Sequence, residues 1–280
     1  MRTNEITNVN SRIIIGLFVA MLIWWFFIFA NSLRDTPINF LYGAVLGILP
    51  LAGSIFGFRN AVKWGGFKSD IGKALMLLSL GLLTWGIGTL IFAYYNIILQ
   101  IAVPYPSLAD LFYIISWPLW VVSMINLSRA TGANFQLGNR VGHLVLFIIP
   151  VLMVALSYYL LITVARGGGI DFSGSIVKIF FDLAYPIGDV IILTVATLIY
   201  GLSFKYLGGS FKWPILIILT GFVMNYISDF SFSYTTTKET FFVAGWVDLM
   251  FTLTFFLLSL GASLIEPGLL HRTNENYDHA

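Results

Sequence analysis

The sequence predicts an all-α integral membrane protein of eight transmembrane helices, and three observations carry that reading. Hydrophobic residues fill 58% of the 280 positions, and charged residues only 10%. Apolar blocks of about 20 residues recur along the chain, enough to cross about 30 Å of hydrocarbon and far longer than the ~5 to 8 of a buried strand. The segments between them are short, and none offers the roughly 50 residues that even a small soluble domain needs. The function is therefore expected to lie within or at the bilayer.

Polar, Gly and Pro breaks place the spans at 12 to 30, 38 to 58, 72 to 96, 108 to 127, 141 to 164, 175 to 202, 213 to 235 and 241 to 265. The first is a retained helix, because its apolar core is too long for a secretory signal and Asn31-Ser32-Leu33 offers no small-x-small cleavage site. The second opens on Thr36-Pro37-Ile38-Asn39, a neutral helix cap, and the fourth on Ser107-Leu108-Ala109-Asp110, a capping box behind Pro106. Residues 1–266 form one membrane domain, and 267–280 read as a polar, disordered cytoplasmic tail. With the N-terminus inside, eleven of the fifteen Lys and Arg residues fall on the inner side, leaving Arg34, Arg166, Lys178 and Lys238 outside. That bias predicts a cell-membrane protein with both termini cytoplasmic.

A phrase recurs near the start of each helix that enters from outside: Asn39-Phe40-Leu41-Tyr42, Asp110-Leu111-Phe112-Tyr113, Asp182-Leu183-Ala184-Tyr185 and Asp248-Leu249-Met250-Phe251. The regular spacing suggests four tandem parallel two-helix repeats. Parallel repeats count mildly against inverted-repeat transporter folds.

The acids in these helices are the candidate functional residues. Asp110 has a structural reading, since the third position of its helix faces the positive end of the helix dipole. Asp182 and Asp248 are expected about two turns inside their helices, Asp229 about 9 Å from the outer end of the seventh, and Asp189 near the midplane. A carboxylate at a helix centre costs about 2.5–3.5 kcal/mol even on lenient insertion scales. Such groups should face the bundle interior, and either pair or bind something. Lys178 stands one turn before Asp182 and can pair with it. Asp189, Asp229 and Asp248 have no evident cation, which leaves interhelical hydrogen bonds or a ligand. Tyr113, Trp117, Trp120, Tyr185, Asn225, Tyr226, Ser228 and Trp246 are the polar and aromatic neighbours. Aromatics near the interface anchor the belt, or wall a pocket where ring faces attract a cation. Pro118, Pro150 and Pro186 interrupt helical hydrogen bonding, and Pro186-Ile187-Gly188 lies just before Asp189.

Pro106-Ser107-x-Ala109-Asp110-x-x-Tyr113, Tyr185-Pro186-x-Gly188-Asp189 and Trp246-x-Asp248 together resemble the multi-spanning N-terminal membrane sensor domain of bacterial GGDEF and EAL signalling proteins. The resemblance covers the third to eighth helices and implies an input role, with no chemistry. It departs after the eighth helix, where IEPGLLHRTNENYDHA carries no output module. Signalling would then need a separate cytoplasmic partner.

Other classes fit poorly. A net charge of +2 is too small to argue for nucleic acid, and without Cys there is no disulfide, thiolate or Cys-ligated metal. Lys178 is too near a helix entrance for a retinal linkage. His143 sits at the end of a span, so paired haem ligation is not expected. Gly167-Gly168-Gly169 lacks the Lys-Ser/Thr of a phosphate loop, and no hydrolase motif occurs. No enzyme, cofactor or metal is expected. The expected function is a membrane-embedded sensor with an outward acidic and aromatic pocket for a small cationic or polar ligand. Its residues are Asp189, Asp229, Asp248, Asp182, Asp110, Tyr113, Tyr185, Asn225 and Trp246. The alternatives are a secondary transporter or proton- or cation-coupled carrier, and a structural membrane subunit.

Overall fold

The computed structural model describes residues 8–130, 140–168, 175–203 and 212–268, and all regular structure among them is helical. The helices are α1 (Val9–Ala30), α2 (Pro37–Leu46), α3 (Ile48–Lys63), α4 (Asp70–Tyr94), α5 (Leu108–Ala130), α6 (Arg140–Ser157), α7 (Ile176–Ser203), α8 (Lys212–Thr237) and α9 (Trp246–Leu264). Eight spans are long and apolar enough to cross a membrane, with α2 and α3 forming one of them. This is a multi-pass helical membrane protein. Wider π-type turns extend α4 through Tyr95–Leu99 and α6 through Tyr158–Ala165. Most of the expected tail, and with it Arg272, lies outside the described residues, as do Arg2 and Lys205.

Local chemistry sets the helix ends. Asn8 accepts from the Ser11 N–H at 2.7 Å, and Ser69 from the Gly72 N–H at 2.9 Å, each satisfying an orphan donor of a first turn. The break in the second span follows from Pro50, which has no N–H to give the carbonyl four residues back. Hydropathy does not register such a break. The last helix also departs from expectation, because it starts at Trp246 and not near 241. The stretch Phe241 to Gly245 is a turn with Ala244 in the left-handed region (φ 62). Its polar backbone is bound by side chains: Asn39 Nδ2 donates to the Val243 carbonyl at 3.1 Å, and the Ala244 N–H donates to Asp248 Oδ2 at 2.6 Å.

Helices α3, α4, α5, α7, α8 and α9 form a closed ring, with α1 outside against α9 and α6 outside against α7. In lipid the ring gains no hydrophobic drive between helices, so close backbone approach matters. Gly53 and Gly57 on α3 let it meet Ser259 of α9 and Ser79 of α4, where added Cβ atoms would lie 2.1 Å and 2.2 Å from the serine oxygens. Trp85, Trp120, Phe222 and Phe255, from four ring helices, fill the centre, with ring centroids 5.3–5.6 Å apart. At the face where α1 begins, side chains take up the last carbonyls of α9. Asn60 Nδ2 donates to Ala262 and Ser263, Trp64 Nε1 to Ile265 and Asn8 Nδ2 to Ser263, at 2.9–3.1 Å.

The packing repeats at a spacing of four spans, about 140 residues. Gly81 admits the Trp120 ring just as Gly221 admits Leu258. Ser123 Oγ donates to the Ala74 carbonyl at 2.7 Å, and at the matching crossing Gly261 packs on the Pro214 carbonyl. The Tyr42 hydroxyl meets Thr252 Oγ1 at 2.8 Å, linking α2 to the first turns of α9. The Tyr185 hydroxyl donates to Asp110 Oδ1 at 2.7 Å, linking α7 to the start of α5. The Asn39–Val243 contact has its counterpart in Tyr105, which donates to Asp182 Oδ1 at 2.9 Å. The recurring phrases thus pair off across two four-span halves, α1–α5 and α6–α9.

The tightest small-residue crossing gives a direct test. A Cβ on Gly188 would lie 1.9 Å from the buried Trp117 ring, whereas one on Gly16 would meet nothing within 4 Å. Gly188→Ala is expected to cost about 1–3 kcal/mol through overpacking. In thermal melts it should fall several degrees below wild type, while Gly16→Ala should match or exceed it.

Candidate functional site

Three of the four recurring phrases place their first residue at the third position of a helix, where a side-chain oxygen can reach back to the preceding backbone. Asn39 Oδ1 accepts from the Thr36 N–H at 3.3 Å, and Asp110 Oδ2 from the Ser107 N–H at 2.6 Å and its hydroxyl at 2.8 Å. Asp248 accepts from Ala244 as described above. Asp248 therefore lies in the first turn of α9 and not two turns inside, because hydropathy cannot separate a capped apolar turn from a helix. Capping accounts for it after all. Asp110 does more than cap, since its second oxygen holds Tyr185 of α7.

Asp182 is the seventh residue of α7 and stands at the rim. Lys178 Nζ donates to its Oδ2 at 3.1 Å and Tyr105 to its Oδ1, as the i, i+4 spacing anticipates for the lysine. The Tyr105 hydroxyl is held above its ordinary ionisation range, first by burial and then by donating to Asp182. Its contribution is complete below pH 10, the ordinary tyrosine value, and is lost only at still higher pH. Arg166, just past the π-type turns after α6, donates from Nη1 to the Asp182 backbone carbonyl at 2.8 Å and lies 3.9 Å from Oδ1. Pro186 explains the first contact: lacking an N–H, it leaves the carbonyl four residues back without its helical donor. Arg166 fills that position.

One and two turns further in, the site becomes acidic. Asp189 on α7 is 2% exposed, and Asp229 on α8 stands within hydrogen-bonding reach of it. Asn225, fully buried one turn before Asp229, donates from Nδ2 to Asp229 Oδ2 at 2.6 Å. Asp189 Oδ1 and Asn225 Oδ1 have no hydrogen-bond partner. Trp117 packs its ring over Gly188 and stands edge-on to Tyr185 at 5.1 Å, and its indole N–H is also unpartnered. Tyr113 reaches the Thr89 hydroxyl of α4 and feels the charges of Asp110, Asp229 and Asp248.

Of the residues anticipated from sequence, Asp110, Tyr113, Tyr185, Asp189, Asn225 and Asp229 converge from α5, α7 and α8. Asp182 is a rim residue, and Asp248 lies beyond Tyr113 with its Oδ2 committed to Ala244. Trp246 does not join them: it is 48% exposed and lines a surface groove with Trp25, Arg34 and Phe242. Two residues on a helix are about 200° apart, so Trp246 and Asp248 face nearly opposite ways. Sequence reasoning missed Arg166, Tyr105 and Thr89. The signal for Arg166 was Pro186, whose freed carbonyl requires a donor from elsewhere. Among the described residues no group of three or more His, Cys, Asp or Glu is placed to hold a metal ion.

With this geometry in hand, comparison of the chain with protein-family models, curated proteins and solved structures finds no match.

The paired tyrosine links differ in charge, which gives a measurable contrast. Tyr185→Phe removes a bond to a carboxylate and should cost about 1.5–3 kcal/mol, whereas Tyr42→Phe removes a neutral bond worth about 0.5–1.5 kcal/mol. Melting of the two variants in lipid nanodiscs should rank Tyr185→Phe as the more destabilised.

Proposed function

We propose that the chain is a non-enzymatic, membrane-embedded ligand-binding module of sensory type, with its site between α5, α7 and α8 around Asp189, Asn225 and Asp229. One observation carries this reading: two acids on facing helices, Asp189 and Asp229, meet deep in the bundle, and both Asp189 and the Asn225 bonded to Asp229 keep an unpartnered buried oxygen. Native interiors satisfy almost all buried polar groups, and exceptions concentrate where something else binds. Asp110, Tyr113 and Tyr185 form the aromatic and acidic wall, and Arg166, Lys178, Asp182 and Tyr105 the rim. The Lys and Arg bias supports an outward rim and cytoplasmic termini. The resemblance to membrane sensor domains supports an input role.

A signal has a physical route in this arrangement. Asp189 shares α7 with Tyr185, which holds the start of α5, and Asp229 shares α8 with the long contact to α9. The far end of α9 is held by Asn8, Asn60 and Trp64. A ligand drawing α7 and α8 together would load both connections. The central plug of Trp85, Trp120, Phe222 and Phe255 favours binding without passage over the carrier reading.

The test is a ligand screen on protein in nanodiscs, using amines, inorganic cations and neutral polar compounds, followed by flux measurements in proteoliposomes. Saturable stabilisation without flux is expected, with apparent affinity reduced at least tenfold in Asp189→Asn. Flux of the stabilising compound would establish the carrier instead. A well-folded wild type that responds to nothing would leave the acids as helix glue in a structural subunit.

A further inference from the structure

The internal repeat supplies a control that the protein carries within itself. Asp189 follows Tyr185 by four residues, and in the other half Leu46 follows Tyr42 by four. Asn225 and Asp229 follow Gly221 by four and eight residues, and Trp85 and Thr89 follow Gly81 by four and eight. The match is spatial as well as numerical. Gly47, next to Leu46, packs against Thr89 Cβ, as Asp189 faces Asp229 in the other half. Leu46 is 5% exposed, Thr89 donates to the Trp85 carbonyl at 3.1 Å, and the Trp85 ring is stacked in the central plug. The same crossing is therefore built twice, once from Leu, Trp and Thr with the Thr89 hydroxyl bonded, once from Asp, Asn and Asp with oxygens left over.

It follows that the fold does not need carboxylates at this crossing. Asp189 and Asp229 stand within hydrogen-bonding reach of each other, and this leaves Asp189 Oδ1 with no partner. The fully buried Asn225 is anchored on Asp229 through Nδ2 and carries a second unpartnered oxygen one helical turn away. Carboxylate and amide oxygens are the ligands that hard, dehydrated cations and ammonium groups take. The charge balance agrees. Arg166 and Lys178 stand at the rim with Asp182, while Asp189 and Asp229 lie deeper on facing helices.

We infer that Asp189, Asp229 and the Asn225 carbonyl bind one small monovalent cation, either an alkali metal ion or a primary ammonium group, and that the Leu46–Trp85–Thr89 crossing is the inactive counterpart of this site. The inference rests on the binding-module reading and names its ligand class. Trp85 occupies in one half the place that Asn225 holds in the other, so a large ring stands where the site has a short amide.

The experiment follows thermal melting of the full chain in nanodiscs at fixed ionic strength, replacing choline chloride with sodium, potassium or methylammonium chloride. Wild type should melt about 5 °C higher at 100-fold above half-saturation. A response to sodium or potassium identifies a metal ion, and one to methylammonium an amine head. Asp189→Leu/Asn225→Leu/Asp229→Thr puts the other half's residues at the two acid positions and removes the amide that loss of Asp229 would leave unpaired, and should melt in choline at or above wild type with no response to any cation. If that variant melts well below wild type in choline, the acids are structural and the inference falls. If wild type ignores all three cations but a neutral polar compound stabilises it through Asp189, the cation is wrong and the binding module stands. If nothing stabilises wild type, both fall.

Discussion

Hydrocarbon offers no hydrogen bonds, so every polar group that this chain carries into the membrane must find its partner within the protein. Most of the described architecture answers that constraint. Helix starts are closed by side chains at Asn8, Ser69, Ser107–Asp110 and Asp248, the freed carbonyl beside Pro186 is taken by Arg166, and the final carbonyls of α9 by Asn8, Asn60 and Trp64. The same bonds connect elements. Tyr185 reaching Asp110 is at once a satisfied hydroxyl, a satisfied carboxylate oxygen and the tie between two helices. Buried side-chain atoms without a partner are few among the described residues, namely Asn60 Oδ1, Ser79 Oγ, Trp117 Nε1, Thr194 Oγ1, Asp189 Oδ1 and Asn225 Oδ1, and the proposed reading rests on Asp189 being the acid among them.

The two-half organisation sharpens it. A duplicated crossing separates what the fold requires from what one half has added. Glycines admitting a large side chain, and hydroxyls seated at the start of a neighbouring helix, recur in both halves and belong to the fold. The acids at Asp189 and Asp229 occur in one half only. Near-symmetry also places the site between α7 and α8, beside the central aromatic plug and not within it. A ligand there would act on the interface between the halves through Tyr185 and on α9 through α8.

Hydropathy made the eight spans legible, because a run of about 20 apolar residues has few other interpretations. The capping role of Asp110 was legible from Ser107 and Pro106. Where hydropathy is blind, the reading failed. Phe241 to Ala244 are apolar yet form a capped turn, and this moved Asp248 from depth to the first turn of α9. Pro50 breaks the second span without changing its polarity. The recurring phrase correctly marked helix starts at Asn39 and Asp110, but the larger period of four spans appears only in the packing partners of Gly81 and Gly221. The convergence of Asp189 with Asp229 could not be read at all, since it depends on α7 lying beside α8. Trp246 was grouped with Asp248 by proximity in sequence, although helical geometry sets them on opposite sides.

The central claim is that the acid pair in one half is a cation site and not structural glue. The most direct measurement is anomalous scattering from crystals grown in lipid with thallium(I), a heavy stand-in for a monovalent cation. The account predicts a single strong peak within coordination distance of Asp189, Asp229 and the Asn225 carbonyl, and none at Leu46 and Thr89. No peak between those acids would contradict it.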